Sequence, residues 1–386
     1  VIGAHTPQGV PFVVGSHHLH REFGALGYAA THVPVPLGAE DVFTADHLNF
    51  KRIRAVSWQR TMTRRRDAHS DRSVVSLVPW AAVRRFGMAR GYRLGYGRML
   101  LPGFGEDDRS PELLIVDHPR QFWLVRQLKP KTLLYRPTDA YSHAGHKDHR
   151  VTLEIEGWLL ERADGLVLTA RQIEERMRQI GGGRLPLPMI VEENGVDLSI
   201  FRAKRAVTSR TSARDGGTRL FYVGSLDARF DHAFVAEAAR RNPDCTFTIA
   251  GPPHADHGAT YEEIPNVHLL GPVRHQDLPD LMGRADVGLL PLSDHPFNAT
   301  RSPMKLYEYA AAGLPVVYRA SPELCRRGLP FAFPYRGPDD FGAAVRAAAL
   351  YRETGGAEMR AFAEAKSWRG IAERILDFAR RVGARV

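Results

Sequence analysis

Short aliphatic and β-branched runs alternate with longer amphipathic stretches along most of this chain, and the alternation lapses once before it restarts. Strand-length runs separated by helix-length stretches are the pattern of βαβ units, whose parallel sheet needs helices on both faces. The first series, at 10–15, 53–59, 73–78, 113–117, 132–135, 166–169 and 189–192, reads as one sheet. After Asp197 a polar stretch rich in Arg, Ser and Thr runs to Gly217 and reads as an interdomain connection. The second series, at 220–224, 246–251, 267–272, 287–292 and 315–318, has amphipathic segments at 231–241, 277–285 and 302–312 between its strands. It reads as a second doubly wound domain.

The expectation is therefore an α/β chain with an N-terminal Rossmann-like domain at 1–200, a linker at 201–217 and a C-terminal Rossmann-like domain at 218–366. A final helix within 367–386 carries Ile371, Ile375, Leu376 and Phe378 on one face and is expected to pack back onto the first domain.

Composition narrows the function classes. Two cysteines, Cys245 and Cys325, lie in ordinary α/β sequence and give neither a disulfide framework nor a thiolate zinc site. No uninterrupted apolar run reaches transmembrane length. The formal net charge is +10, and residues 51–100 hold 13 Lys plus Arg against Asp67 and Asp71. Such a block suits anionic lipid, nucleic acid or phosphate-rich partners, or else forms a solvated face. Between Trp80 and Phe104 aromatic and aliphatic residues interleave with Arg84, Arg85, Arg90, Arg93 and Arg98. That mixture fits a surface at lipid headgroups or a helix pair covering the first sheet. A cytoplasmic protein, peripheral at the inner face of the cell membrane, is the expectation.

Chemistry concentrates in Ser302-Pro303-Met304-Lys305-Leu306-Tyr307-Glu308-Tyr309. Ser302 reads as an N-cap and Pro303 as the first helical residue, so a helix should start there with its free amides available to a diphosphate. Lys305 adds a positive charge in the first turn. Met304 and Glu308 stand four apart and share a face, offering apolar contact and a carboxylate for ribose hydroxyls. At the end of the second domain's first strand, Gly224 permits close approach of backbone, and the Ser225 amide and hydroxyl can meet phosphate.

In the first domain Tyr135-Arg136-Pro137-Thr138-Asp139 follows a strand, which places Asp139 as a general base for an acceptor hydroxyl or as a cap of the next segment. Glu192-Glu193-Asn194-Gly195-Val196-Asp197 contains a tight turn, and Glu192 or Glu193 is a candidate for donor-sugar contact or a solvated hinge position. His143, His146 and His149 recur every third residue without a thiolate or carboxylate complement, and no D-x-D pair is present, so no metal is expected.

Together these motifs resemble the GT-B glycosyltransferases, in which two Rossmann-like domains face a cleft. Asn194-Gly195-Val196-Asp197, Val223-Gly224-Ser225 and Lys305-Leu306-Tyr307-Glu308-Tyr309 are similar to glycosyltransferase family 4. Two departures are Thr300 where that group's E-x7-E pair has its first acid, and the lack of its Arg and Lys within 225–231. Ser16-His17-His18, Leu134-Tyr135-Arg136 with Asp139, and Ser302 with Met304-Lys305-Leu306 resemble the GumK-like family 70 glucuronosyltransferases, which share those departures.

The resemblance implies an inverting, metal-independent, membrane-associated enzyme that moves glucuronic acid from UDP-glucuronate to a lipid-linked or glycan acceptor. It makes Asp139 the base, assigns Ser225, Met304 and Lys305 to the UDP diphosphate, and turns Glu308 toward the ribose. His18 and Arg136 fall on the acceptor side, while Arg301 beside the phosphate helix suits a uronate carboxylate. A retaining family 4-like hexosyltransferase, a sugar-nucleotide 2-epimerase on the same fold, and a non-catalytic basic protein binding nucleic acid or anionic membrane are the alternatives. Against the last, the basic block lies in the first domain and the nucleotide motifs in the second.

Overall fold

The computed structural model describes residues 2–3, 14–35, 69–71, 80–95, 110–143, 148–202, 217–252 and 259–386. They divide into two compact units, Val1–Glu193 with Trp368–Val386, and Asn194–Ser367.

Unit 1 runs β1 (Ile2–Gly3), α1 (Gly15–Ala25), β2 (Ala30–Pro34), β3 (His69–Asp71), α2 (Trp80–Gly95), β4 (Leu113–Val116), α3 (Phe122–Leu128), β5 (Thr132–Tyr135), α4 (His149–Leu160), β6 (Gly165–Leu168), α5 (Arg171–Ile180) and β7 (Met189–Val191). The single sheet expected here is recorded as two parallel ladders, β1-β2-β3 and β4-β5-β6-β7. β1 lies against β4, but only two of its residues are described and no pairing joins the ladders among the described residues. The strand expected at 10–15 is corrected at its end, because Val14 caps α1 and Gly15 begins it. The runs expected at 53–59 and 73–78 lie outside the described residues. Every residue of β5 and β6 is buried, as a parallel strand covered on both faces must be.

Part of the basic stretch, α2, packs on α4. Trp80 and Val83 of α2 are buried, the Trp80 indole donates to Asp148 Oδ2 at 2.9 Å, and Arg84 and Arg120 both pair with the Asp148 carboxylate. Arg85 and Phe86 remain exposed, with the Arg85 guanidinium 5.7 Å from the Phe86 ring centre.

Unit 2 runs α6 (Leu198–Arg202), β8 (Arg219–Val223), α7 (His232–Arg241), β9 (Thr246–Ala250), β10 (Val267–Gly271), α8 (Leu278–Gly283), β11 (Val287–Leu290), α9 (Pro296–Ala299), α10 (Met304–Ala312), β12 (Val316–Arg319), α11 (Pro322–Arg326), β13 (Ala332–Tyr335), α12 (Pro338–Tyr351) and α13 (Gly356–Ala365). Its six parallel strands stand in the order β10-β9-β8-β11-β12-β13. Counted within the unit, that is 3-2-1-4-5-6, the doubly wound order in which the sequence of strand addition reverses between β8 and β11. Helices on both faces bury two apolar clusters, one around Val235, Phe247 and Phe341 and one around Leu290, Leu306 and Val316.

Two boundaries differ from the sequence reading. Residues 194–200 belong to unit 2, because both the amide and the side chain of Asn194 bind Ser302, and the Val196 amide donates to Lys366 O at 3.0 Å. Phe201 and Arg202, expected in the linker, end helix α6, which packs on α10; residues 203–216 lie outside the described residues. The last helix, α14 (Trp368–Arg381), is part of unit 1 and packs on α1 with Ile371, Ile375, Leu376 and Phe378 buried.

Candidate functional site

In a doubly wound sheet the crevice for ligands opens beyond the carboxyl ends of the strands that flank the reversal, here β8 and β11. Gly224 follows β8 at that edge. Gly251, at φ 159°, passes so close that a Cβ on it would lie 1.9 Å from Gly224 O, and a Cβ on Gly224 would lie 2.5 Å from the Tyr222 hydroxyl. The Tyr222 hydroxyl donates to Ser225 O at 3.0 Å and fixes the turn. Burial raises the Tyr222 phenol pKa, and the charge of Arg301 opposes that rise. Further along, Asp227 is held below the usual carboxylate range by hydrogen bonds and charge from Arg229, against the effect of burial.

Helix α10 meets this edge, stopped at its far end by Gly313 in the left-handed region at φ 72°. Its Tyr309 hydroxyl stands between the Val223 amide and the Leu289 carbonyl, 3.3 Å from each, and so ties the helix to both β8 and β11. A side chain at Gly288 would strike the Tyr309 ring at 2.6 Å.

The expected cap is corrected. The helix starts at Met304 with Pro303 as N-cap, extended at ψ 120°, and no side chain caps it. Ser302 is drawn away by tertiary partners: its Oγ accepts from the Asn194 amide at 3.1 Å and lies 2.6 Å from the Tyr307 hydroxyl. Because the proline N-cap has no side-chain acceptor, the first helical turn presents its amides without a side-chain cap.

Lys305 Nζ lies 2.7 Å from Glu308 Oε2, and His275 Nε2 is 3.7 Å from Glu308 Oε1. Glu308 is buried. Burial would raise its pKa, yet the Lys305 charge and the His275 hydrogen bond carry it down to about 2. Met304 shares the face and is half-buried. The structure thus gathers Gly224, Ser225, Arg301, Ser302, Met304, Lys305 and Glu308 in unit 2, and adds His275, Tyr307 and Tyr309, which sequence reasoning did not single out.

The candidates in unit 1 do not converge in this way. Arg136 is fully buried and pairs with Asp117 at 3.2 Å, where burial pushes the Asp117 carboxyl up to about 6. Asp139 is half-buried on the loop that follows β5. Burial and then the Asp139 charge raise the Tyr141 phenol pKa. That loop is pinned throughout: Thr169 Oγ1 donates to Thr138 O at 3.2 Å, the Thr138 and Tyr141 hydroxyls are 2.5 Å apart, and Arg176 and His149 bind Ser142 O. By contrast His18 is buried on α1 with its ring stacked on Trp368 at 5.1 Å, and Glu192 is held by a paired contact from Arg374 at 2.8 and 2.9 Å. Both therefore face α14. His146 lies outside the described residues, and among the described residues no group of three or more His, Cys, Asp or Glu is arranged to hold a metal ion.

Residues 217–349 match the family model described as glycosyl transferases group 1. A Bacillus subtilis (strain 168) protein named as a glycosyltransferase of teichuronic acid biosynthesis, TuaH, is 28% identical over 182 residues, 46% of this chain and 45% of its own. A Mycobacterium tuberculosis (strain CDC 1551 / Oshkosh) glycogen synthase is 27% identical over 221 residues, 53% of this chain and 49% of its own. The chain spans about half the length of these relatives.

Among solved structures, sucrose-phosphate synthase from Thermosynechococcus elongatus superposes with a TM-score of 0.68 at 16% identity, over 100% of this chain and 99% of that one. Anabaena HepE in complex with UDP and glucose gives 0.62 at 13%, over 98% of each chain. A trehalose-6-phosphate synthase studied for glycosyl transfer with retention gives 0.62 at 13%, also over 98% of each. At such identities the likeness is one of fold, and that fold is GT-B. Residues 217–349 thus match a group 1 glycosyl transferase model within a chain of GT-B fold.

Proposed function

We propose that this protein transfers a sugar from a UDP-linked donor to a lipid-linked or glycan acceptor in polysaccharide or glycoconjugate biosynthesis. The observation that carries the reading is the edge of unit 2 between β8 and β11, where the start of α10, Lys305 and buried Glu308 gather. Helix-end amides, Ser225, Ser302 and Lys305 suit a diphosphate, while Met304 and Glu308 suit the nucleoside. The UDP in HepE supports uridine as the base. Lys305 and the helix dipole take on the charge neutralisation that a divalent cation provides elsewhere.

In this reading Asp139 takes the proton of the acceptor hydroxyl as its oxygen bonds to C1 of the donor sugar. The C1–O bond to UDP breaks, its electron pair leaves on the diphosphate, and the anomeric configuration inverts. Arg136 and His18 belong to the acceptor side, with Arg136 acting from beneath the Asp139 loop and His18 through the packing of α1. Glu192 remains a candidate for the donor-sugar side. Glucuronic acid, as in the GumK-like enzymes, is the preferred sugar because Arg301 stands beside the phosphate helix, and the TuaH name supports a related pathway. Replacing Arg301 with Gln should then reduce transfer from UDP-glucuronate more than from UDP-glucose. Exposed Phe86 beside Arg84 and Arg85 supports peripheral contact with an anionic membrane; no helix among the described residues is long and apolar enough to cross one.

Retention is the second reading. It is favoured by the trehalose-6-phosphate synthase likeness and opposed by Thr300 at the position of the family 4 acid. NMR of the product's anomeric centre decides between them.

The first test is calorimetric titration with UDP, GDP and ADP without metal, repeated on Lys305→Ala. Selective UDP binding, weakened in the variant, is expected. A folded protein that binds none of the three nucleotides would end this reading.

A further inference from the structure

Two segments of unit 2 carry candidate phosphate groups: 224–231 after β8, with Ser225, and 291–302 after β11, with Arg301 and Ser302. They are bound to each other. The Asp231 amide donates to Pro291 O at 2.9 Å, the Ser293 amide to Arg229 O at 3.0 Å and Ser293 Oγ to Ala228 O at 2.6 Å, while Phe230 and Leu292 form an antiparallel bridge. At the centre stands Asn298 of α9, 5% exposed. His295 caps this single turn by accepting the Phe297 amide at 3.2 Å, with Pro296 as its first residue. Asn298 Nδ2 donates to Arg229 O and to Ser293 O, each at 2.9 Å, and lies 3.4 Å from Ser293 Oγ.

The orientation of that amide follows from its partners. A main-chain carbonyl only accepts, so the atom facing two of them is the NH2, and Oδ1 is turned the other way. There Oδ1 is buried with no hydrogen-bond partner among the described residues. A buried acceptor of this kind offsets much of what two neutral hydrogen bonds contribute, so Asn298 adds little net stability. Arg229 O also keeps the Ser293 amide when Asn298 is replaced. What Asn298 does supply is geometry. It joins the two segments at points three residues before Arg301 and four after Ser225.

We propose that Asn298 is a positioning residue for the diphosphate: by holding the segment after β11 on the segment after β8, it sets the spacing of Ser225 from Arg301 and Ser302. This rests on the nucleotide reading of the site above. It assigns to a buried side chain, which itself touches no ligand, a share in recognising phosphate rather than base.

The test compares UDP, by calorimetry, with uridine, by ligand-observed NMR, on wild type, on Asn298→Leu, which is similar in shape and lacks the donors, and on Ser293→Ala, which lacks the bond to Ala228 O. Asn298→Leu should melt close to wild type yet bind UDP roughly tenfold more weakly, the worth of one hydrogen bond to a charged phosphate oxygen. Uridine, which the nucleotide reading places against Met304 and Glu308 on α10, should bind all three proteins alike. Ser293→Ala should show the same split with a smaller loss, and it carries the test alone if Asn298→Leu does not fold. Hydrogen exchange without nucleotide, read by mass spectrometry, should be faster over 291–300 in either variant than in wild type. Unchanged UDP affinity in the folded variants, equal losses for UDP and uridine, a UDP loss that comes only with a large fall in melting temperature, or unchanged exchange over 291–300 would each overturn the positioning role. Wild type that binds no UDP at all overturns the nucleotide reading itself, and is seen before any variant is compared.

Discussion

Lys305 and Glu308 form an ion pair of 2.7 Å one turn apart on α10, with the carboxylate buried and the ammonium at the edge. The helix would form without it, but a buried carboxylate without a compensating cation is costly. The pair is therefore what allows an acid to sit buried beneath the first turns of this helix.

That arrangement has a pH signature. The Glu308 carboxyl is depressed from 4.5 to about 2, so its contribution to stability is fully present above about pH 4.5 and is lost as pH falls toward 2. Glu308→Gln lacks that term. Chemical denaturation at pH 7 and at pH 2 should show a stability gap between wild type and variant that narrows by roughly 3 kcal/mol on acidification. A gap that stays constant across this range would refute the ion-pair account.

Tyr309 makes the second prediction. Removing its hydroxyl in Tyr309→Phe leaves the buried Val223 amide and Leu289 carbonyl without the group that joins β8 to β11 through α10. A loss of roughly 1–2 kcal/mol is expected from one unsatisfied buried donor. UDP affinity should fall too, since the same hydroxyl sets the helix against the strand ends. Thermal melts and titration on the same preparation test both halves, and a variant as stable as wild type would count against the bridge.

How much of this was readable beforehand depends on how local the cause is. The strands of unit 2 were legible because runs such as Leu220 to Val223 are aliphatic or aromatic throughout and buried on both faces. In β2 the β-formers Thr31 and Val33 are interleaved with Ala30, His32 and Pro34, and in β13 Pro334 separates Phe333 from Tyr335, so neither strand is a continuous apolar run in the sequence. Lys305 and Glu308 were legible because helical spacing alone brings them together. Ser302 was misread as a cap because the local rule ignores Asn194, 108 positions away, which takes the hydroxyl. His275 and Arg327 reach the site from other elements, and no spacing in the sequence marks them.

Glu156 in unit 1 should behave in the opposite sense to Glu308. Burial raises its carboxyl from 4.5 to about 7, while Tyr135, donating at 2.9 Å, and Arg176 only partly offset this. A raised acid favours the fold while protonated: its contribution is complete below about pH 4.5 and is lost as pH rises through 7. Glu156→Gln removes the titration and keeps an acceptor for Tyr135. The variant should gain on wild type by about 2–3 kcal/mol between pH 5 and pH 8. Asp117 titrates in part of the same window, but it is common to both proteins and cancels in the difference. No relative gain over that range would mean that Glu156 is better solvated than its burial implies.

Asp139 gives the sharpest test of chemistry. The loop that carries it is fixed by Thr169, Tyr141, Arg176 and His149, so an isosteric change to Asn should leave its shape intact. A general base contributes about 100- to 10,000-fold to rate, and its loss should appear in kcat with UDP affinity unchanged, because the proposed nucleotide residues belong to unit 2. Steady-state transfer assays beside UDP titration of Asp139→Asn would measure both. If kcat falls by less than about tenfold, Asp139 is not the base. If instead UDP affinity collapses with kcat, the residue supports the fold of the nucleotide site rather than proton transfer. A retained anomeric configuration together with an intact rate in this variant would move the reaction to the retaining mechanism, in which no side chain on this loop needs to accept a proton.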